Sequence, residues 1–144
     1  MKILLTLSFL FFSKTTLPIT SADDILGLWI SKNKDLKVEI FKQNNKYFGK
    51  IIWFYCPPKS PIMASYLDVE NPNKSLKNQP WLGMVNVSNL EFSDNQYWKN
   101  GLIYDPNSGR TYSAIVKKKN NNTLIVRGYW GFEFIGKSLE FTKL

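Results

Sequence analysis

The sequence predicts an all-β fold, an eight-stranded antiparallel up-and-down barrel with one long loop. Short runs rich in β-branched and aromatic residues recur along the chain, and most are separated by clusters of Asn, Asp, Gly and Pro. No segment longer than about ten residues shows the apolar period of a helix. Strands joined by short turns pair with their chain neighbours, and eight of them enclose a space that side chains fill or that holds one small ligand.

The clearest signal is a hairpin near the middle of the chain. The run from Leu102 to Tyr104 is extended and apolar, and the run from Arg110 to Val116 is rich in strand-forming residues. Between them, Asp105-Pro106-Asn107-Ser108-Gly109 consists of turn-forming residues only, because proline presets φ and glycine accepts a positive φ. The segment therefore predicts strand, tight turn and strand.

The same pattern divides the rest of the chain. The segment 36–40 alternates apolar and charged residues, which indicates a strand with one buried face. The segment 47–55 is apolar on both faces, so the sequence leaves its inner face open, and Gly49 marks a bulge or a close approach. A turn is predicted at Asn100-Gly101. The predicted strands are 27–31, 36–40, 47–55, 82–87, 102–104, 110–116, 123–130 and 137–143.

The N-terminus has the composition of a secretory signal peptide. Lys2 precedes a mostly apolar run over residues 3–12, and Thr20-Ser21-Ala22 offers small residues for cleavage. The alternative is a buried first strand or helix, but the run has neither caps nor a helical period. We therefore predict a leader over 1–22 and a barrel domain over 23–144. Removing the two lysines of the leader lowers the formal net charge from +8 to +6.

One connection is much longer than the others. Residues 56–79 contain four prolines together with apolar side chains such as Met63 and Tyr66. Connections of more than about 12–15 residues are usually functional or disordered. The apolar content favours a packed lid over an opening, with a mobile tether as the alternative.

Several motifs together resemble a family of small exported bacterial proteins that is catalogued as a domain of unknown function and has a lipocalin-like (calycin) barrel. The resemblance implies an eight-stranded barrel outside the cytoplasm and no settled activity, and fold analogy to lipocalins suggests small apolar ligands. The motifs are the signal peptide, Asp24-Ile25-Leu26-Gly27-Leu28-Trp29, Gly49-Lys50-Ile51, Asn71-Pro72-Asn73, Leu82-Gly83, the segment from Gly101 to Gly109, Tyr112 and Arg127-Gly128.

Gly27-x-Trp29 also resembles the first-strand signature of lipocalins. The resemblance implies that the tryptophan closes one end of the barrel beneath a basic residue of the last strand. Lys143 shares a face of that strand with Phe141 and is the first candidate, and Arg127 is the second. The family often ends in Trp-x-Arg where this chain has Phe141-Thr142-Lys143, and arginine stacks on aromatic rings better than lysine.

The residue inventory argues against an enzyme. Histidine is absent, which removes the commonest general base and the commonest transition-metal ligand. The single cysteine, Cys56, can form neither an intrachain disulfide nor a thiolate metal site by itself. Among the carboxylates, Asp105 fits a turn, and nothing in the spacing pairs Asp68 or Glu70 with a second catalytic acid. We predict no catalytic residues, no cofactor and no bound metal.

Aromatic residues give the positive signal for function. The chain has seven Tyr, five Trp and ten Phe, and most of those on strands are expected to pack in the core. A few can line a ligand pocket with apolar walls and occasional donors. Arg127, if directed inward, would pair with an acidic ligand. The predicted pocket residues are Trp53, Tyr104, Tyr112, Arg127 and Trp130.

The sequence therefore predicts an exported protein, periplasmic or secreted, that binds a small apolar molecule inside its barrel. The alternative is a solid barrel that acts as an envelope or host-interaction protein without a small ligand. Nucleic acid is not an expected partner, because eight strands and an export signal do not fit that class, and contact with a membrane is expected only during export. The basic run Lys117-Lys118-Lys119 is predicted to be a solvated hairpin tip. The ligand and the oligomeric state are left open.

Overall fold

The computed structural model describes residues 19–144 and forms an eight-stranded closed antiparallel barrel, so the predicted fold class is confirmed. The apolar part of the predicted leader lies outside the described residues. Short 3₁₀ helices cover Ala22–Ile25, Met63–Ser65 and Lys74–Leu76. The strands are β1 (Gly27–Ser31), β2 (Leu36–Gln43), β3 (Lys46–Phe54), β4 (Val85–Phe92), β5 (Tyr97–Asp105), β6 (Arg110–Asn120), β7 (Thr123–Tyr129) and β8 (Gly136–Lys143).

Each strand pairs with the next in the chain, and the ladder between β1 and β8 closes the barrel. This last ladder is short and joins Trp29 to Lys143, Ile30 to Thr142 and Ser31 to Phe141. Because β1 ends at Ser31, which pairs with Phe141, the first part of β8 has no partner in β1. Full closure removes most of the free strand edges that an open sheet would expose.

The two ends of the barrel differ, and we call them the closed end and the open end. The N-terminal 3₁₀ helix lies at the closed end, where β1 begins and β8 finishes. The open end carries the turns 32–35 and 106–109, the loop 130–135 and the long connection from β3 to β4. Every feature at the open end is therefore brought to one rim by the alternating direction of the strands.

The turn predicted at Asn100-Gly101 is wrong, because β5 runs through it. Asn100 has a φ of +61°, and the ladder between β5 and β6 shifts register between Trp98 and Gly101. Gly101 is buried, and a Cβ there would lie 2.5 Å from Leu90 Cδ2. The Asn-Gly pair thus makes a bulge rather than a chain reversal, which increases the local bend of the strand.

The inner face of β3, left open by the sequence, is defined by burial. Tyr47, Gly49 and Ile51 are buried, and Phe54 joins them after the strand shifts by one residue. A Cβ on Gly49 would approach Val87 Cβ to 3.0 Å, and the ladder to β4 shifts register on both sides of this glycine. Gly49 therefore marks both a close approach and an irregular ladder.

The core has two parts along the barrel axis. The larger part lies toward the closed end and centres on the fully buried side chains of Trp29, Trp98 and Tyr47. A smaller cluster of Ile51, Phe54 and Met84 lies toward the open end, beneath the long connection. The barrel is thus packed with side chains at one end and less densely filled at the other.

Candidate functional site

The closed end is sealed by Trp29. Its indole Nε1 donates a hydrogen bond of 2.9 Å to the carbonyl of Ile25, and the ring is 1% exposed. Lys143 Nζ lies 5.5 Å from the ring centroid, which is within the distance of a cation–π contact. Trp98 Nε1 donates at 3.0 Å to the carbonyl of Ala22. The two indoles thereby fasten the 3₁₀ helix across this end of the barrel. The Trp98 bond exists only in a chain that keeps Ala22, which is the last residue of the predicted leader.

Two carboxylates of that helix hold it from outside. Asp24 accepts a hydrogen bond of 2.6 Å from Lys118 Nζ, which keeps the pKa of Asp24 below its usual value. Asp23 accepts from the Tyr47 hydroxyl at 2.6 Å and from Lys42 at 2.9 Å, and these two bonds lower the pKa of Asp23. These contacts join the helix to Lys42 of β2, Tyr47 of β3 and Lys118 of β6.

The open end holds a cavity of about 900 Å³. This volume lies within the roughly 300–1,000 Å³ that is usual for small-molecule sites. Its walls combine aliphatic and aromatic side chains with a rim of polar groups, as such sites do. The apolar side chains of the lining include Leu36, Ile51, Phe54, Trp81, Ile103 and Tyr104.

The polar groups of the lining divide into satisfied and unsatisfied ones. The Ser31 hydroxyl donates to the Asp35 carboxylate at 2.5 Å and accepts from the backbone amides of Asp35 and Leu36. In contrast, Trp81 Nε1 and Asn86 Oδ1 are buried without a hydrogen-bond partner among the described residues. Buried polar atoms are nearly always satisfied by protein, water or ligand. Both residues line the cavity, and the two unpartnered atoms themselves have almost no solvent-accessible surface.

The long connection from β3 to β4, which we call the lid, packs on the smaller core cluster through Met63, Tyr66 and Trp81. None of residues 56–79 lines the cavity, so a role of this segment in covering the opening stays a prediction. Tyr66 and Trp81 of the lid meet Phe54 with ring centroids 5.2 and 5.5 Å away, and they lie 5.4 Å from each other. An isolated bridge pairs Leu67 with Pro80 and draws the two arms of the lid together. Three mutually contacting rings thus cover the smaller core cluster.

A buried carboxylate anchors the middle of the lid. Asp68 is fully buried and accepts hydrogen bonds of 2.6 Å from both the Tyr104 hydroxyl and Asn71 Nδ2. The Asn71 side-chain oxygen in turn accepts from the backbone amide of Asn73 at 2.8 Å. Burial, followed by the hydrogen bond to Asp68, raises the pKa of Tyr104 well above its usual value. The lid is therefore tied to β5 through a neutral tyrosine.

The β5–β6 turn contacts the same part of the lid. Gly109 has a φ of +69°, and a Cβ at this position would overlap the backbone carbonyl of Glu70. Asp105 shapes the turn by accepting from the backbone amide of Asn107 at 3.0 Å and from the Ser108 hydroxyl at 2.8 Å. The hairpin motif singled out in the sequence thus serves a structural contact with the lid.

The structure separates the five predicted pocket residues. Tyr104 lines the cavity, whereas the other four are not among its lining residues. Trp53 lies on the outer face of β3, with Lys37 Nζ 5.2 Å from its ring centroid. Tyr112 and Trp130 form an edge-to-face pair at 5.9 Å. A ligand-binding role for any of the five stays a prediction.

Arg127 binds the chain itself. Its guanidinium donates to the carbonyls of Glu133 and Phe134 at 2.7 and 3.2 Å and to the Ser138 hydroxyl at 2.9 Å. Because alternation puts Leu124, Val126 and Gly128 on one face of β7, Arg127 is on the other face. The geometry therefore gives it no acidic ligand to neutralise inside the barrel.

Sequence interpretation missed Trp81 and Asn86. Both lie at the junction of the lid and β4, where the predicted strand 82–87 begins too early, since β4 starts at Val85. A tryptophan directly after Pro80 and next to Leu82-Gly83 was the available signal. Such a residue is neither on a regular strand nor in a polar turn, so it is a good candidate for a wall beneath a lid.

Over residues 19–144, His, Cys, Asp and Glu side chains nowhere gather in a group of three or more that could hold a metal ion. Cys56 is a half-buried free thiol. In the same range, no helix has the length and apolar character needed to cross a membrane.

Together, the closed eight-stranded barrel, the tryptophan seal at one end and the cavity at the other define a lipocalin-like protein. Residues 27–143 match the model of a family described as "Uncharacterized protein conserved in bacteria (DUF2147)", and the chain belongs to this family. A solved structure entitled "Protein HP1028 from the human pathogen Helicobacter pylori belongs to the lipocalin family" is similar, with a TM-score of 0.69 and 25% sequence identity. The similarity covers 83% of this chain and 82% of that chain. The comparison with curated proteins returned no match.

Proposed function

We propose that this protein binds a small, largely apolar molecule in the cavity at the open end of its barrel. The observation that carries the proposal is the cavity of about 900 Å³, with its mixture of apolar walls and few polar groups. The lipocalin-like fold supports it by analogy. A solid barrel that meets only macromolecules is less well supported, because side chains would then fill this end.

The unpartnered atoms narrow the class of ligand. Trp81 Nε1 offers a donor and Asn86 Oδ1 offers an acceptor, and neither carries a charge. A carboxylate only accepts hydrogen bonds and would leave the Asn86 oxygen unpaired, whereas neutral polar groups that also donate can serve both kinds of atom. We therefore propose an apolar molecule with one neutral polar head, bound without chemical conversion.

The test compares two tryptophan substitutions on neighbouring residues of β5. Ile103→Trp places an indole in the cavity, whereas Leu102 is 41% exposed and Leu102→Trp adds the same ring outside. We expect native mass spectrometry of protein purified from its own host to show a bound small molecule in the wild type and in Leu102→Trp. Ile103→Trp should lose it and should bind a fluorescent apolar probe at least about tenfold more weakly, a change of roughly 1.4 kcal/mol. Equal probe binding by the two variants would contradict the proposal.

We also propose that the protein acts outside the cytoplasm, in the periplasm or after secretion. The predicted leader over 1–22 supports this location. Fractionation of the host, followed by N-terminal sequencing of the recovered protein, tests it. Recovery of a chain that still begins at Met1 in the cytoplasmic fraction would contradict the proposed location.

A further inference from the structure

The loop between β7 and β8 exposes an unusual amount of apolar surface. We call residues 130–135 the aromatic loop. Four of its six side chains are large and apolar, and all four face solvent. Their exposed fractions are 64% for Trp130, 66% for Phe132, 79% for Phe134 and 54% for Ile135. Contiguous exposed apolar patches in soluble proteins commonly mark interaction sites.

The exposure is built into an ordered loop. The Arg127 guanidinium donates to the carbonyls of Glu133 and Phe134, and the Phe132 and Phe134 rings stack with centroids 5.5 Å apart. The backbone amide of Ile135 donates to the carbonyl of Phe132 at 2.9 Å. These bonds give the loop a defined conformation in which its aromatic rings point away from the core.

The charges around the loop have one predominant sign. Residues 19–144 carry a formal net charge of +6. Lys137 is the second residue after the loop, and it lines the cavity together with Lys32 of the turn 32–35. Neither lysine forms a salt bridge within the described residues. Of the carboxylates at this rim, Asp35 accepts from Ser31 and Asp105 accepts within its own turn. Glu133 of the loop itself is exposed and is the one acidic side chain among the six loop residues.

We propose that the open end of the barrel docks on a lipid bilayer with an anionic surface, with the aromatic loop inserted at the interface. Tryptophan and phenylalanine on a projecting loop, flanked by lysines, match the chemistry of the headgroup region. A six-residue tip is too small for the roughly 800 Å² per partner of a stable protein interface. Tyr55 and Ile62 of the lid are also exposed at this end of the barrel.

This surface departs from the expectation that membrane contact occurs only during export. It also has a functional consequence, because the loop and the mouth of the cavity share one rim. A docked barrel would open toward the bilayer, where apolar molecules are concentrated. Docking on the bilayer does not depend on the proposed ligand, so an experiment can contradict either proposal without contradicting the other.

The test uses vesicles and matched variants of the protein. The loop variant Trp130→Ser/Phe132→Ser/Phe134→Ser is compared with Leu28→Ser/Leu102→Ser, whose side chains are exposed on the barrel wall. We expect wild type and the wall variant to co-sediment with vesicles of phosphatidylethanolamine and phosphatidylglycerol. The loop variant should bind at least about tenfold more weakly, and phosphatidylcholine vesicles should bind all proteins more weakly. Circular dichroism checks that each variant is folded.

A second measurement locates the loop. Brominated lipids should quench the tryptophan emission of the wild type more than that of Trp130→Phe, which keeps an aromatic anchor but removes the reporter. The cavity variant Ile103→Trp should still bind vesicles, so loss of the ligand does not imitate loss of docking. Equal vesicle binding by the loop and wall variants would overturn the proposal. So would loop-dependent dimerisation in sedimentation velocity without vesicle binding, which would assign the loop to a second copy of the chain.

Discussion

The Tyr104 hydroxyl donates a hydrogen bond of 2.6 Å to the fully buried carboxylate of Asp68, and this bond joins the lid to the barrel. A carboxylate inside a protein is costly unless several donors meet it. Here the donors come from β5 and from Asn71 within the lid. Asp68 of the lid is therefore bonded to a strand residue that lines the cavity.

Tyr104→Phe should loosen the lid without unfolding the barrel. The change removes one donor from a buried carboxylate, which commonly costs about 1–3 kcal/mol. We expect lower stability in urea and faster amide hydrogen exchange over residues 66–79, while the barrel strands keep their protection. Tyr55→Phe is the control, because Tyr55 is 58% exposed. Similar exchange over the lid in both variants would show that the Tyr104 bond does not hold it.

Gly109→Ala should be markedly more destabilising than Gly131→Ala. Both glycines have positive φ values, +69° and +75°, so both alanines incur a similar backbone cost of about 1–2 kcal/mol. Only at Gly109 would the new methyl group also overlap Glu70, because nothing lies within 4 Å of a Cβ at Gly131. The difference between their free energies of unfolding, from urea titrations, measures the close approach of turn and lid. A difference near zero would mean that the lid moves aside at little cost.

Local chemistry in the sequence was sufficient to predict the barrel. The alternation over 36–40 and the turn residues from Asp105 to Gly109 determine the backbone through neighbouring residues only. The predicted strand and turn therefore agree with the structure there. Antiparallel neighbours then follow from the short connections. The same reasoning gave the lid, since a long segment with apolar side chains needs a surface to cover.

Contacts between distant segments were not predictable in this way. Asn100-Gly101 has the composition of a turn, and only the packing of Leu90 and the register with β6 make it a bulge. Alternation along β7 does not say which face of the strand points inward, so it leaves the direction of Arg127 open. Its partner Glu133 lies in a loop, where residue periodicity predicts no contacts. The cavity residues Trp81 and Asn86 are brought together by the end of the lid, which strand patterns do not reach.

Trp29→Phe should destabilise the closed end. The change removes the hydrogen bond to the carbonyl of Ile25 and leaves part of a fully buried space empty, for an expected loss of about 1–3 kcal/mol. Trp53→Phe is the matched control, because Trp53 lies on the outer face under Lys37. Urea unfolding followed by circular dichroism measures both. Equal decreases in the free energy of unfolding of the two variants would mean that Trp29 contributes no more to stability than an exposed tryptophan does.

Lys118→Met should reduce the sensitivity of the fold to acid. The bond from Lys118 lowers the pKa of Asp24 in the folded state below its ordinary value of 3.8, so the unfolded chain binds more protons in acid. The stabilisation is complete well above pH 3.8 and is lost as the pH falls through that value toward the folded-state pKa.

The variant should therefore be less stable than the wild type at pH 6, by about 0.5–1.5 kcal/mol, because Asp24 is partly screened by solvent. The gap should narrow as the pH falls from 6 to 3, because the unfolded chain of both proteins binds a proton at Asp24 near pH 3.8, whereas the bond from Lys118 opposes that protonation only in the folded wild type. Lys119→Met is the control, because Lys119 lies 3.6 Å from Glu140 with a side chain that is 57% exposed. Urea titrations across this pH range test the claim, and a gap that is constant from pH 6 to pH 3 would show that Lys118 acts through packing of its stem rather than through the charge of Asp24.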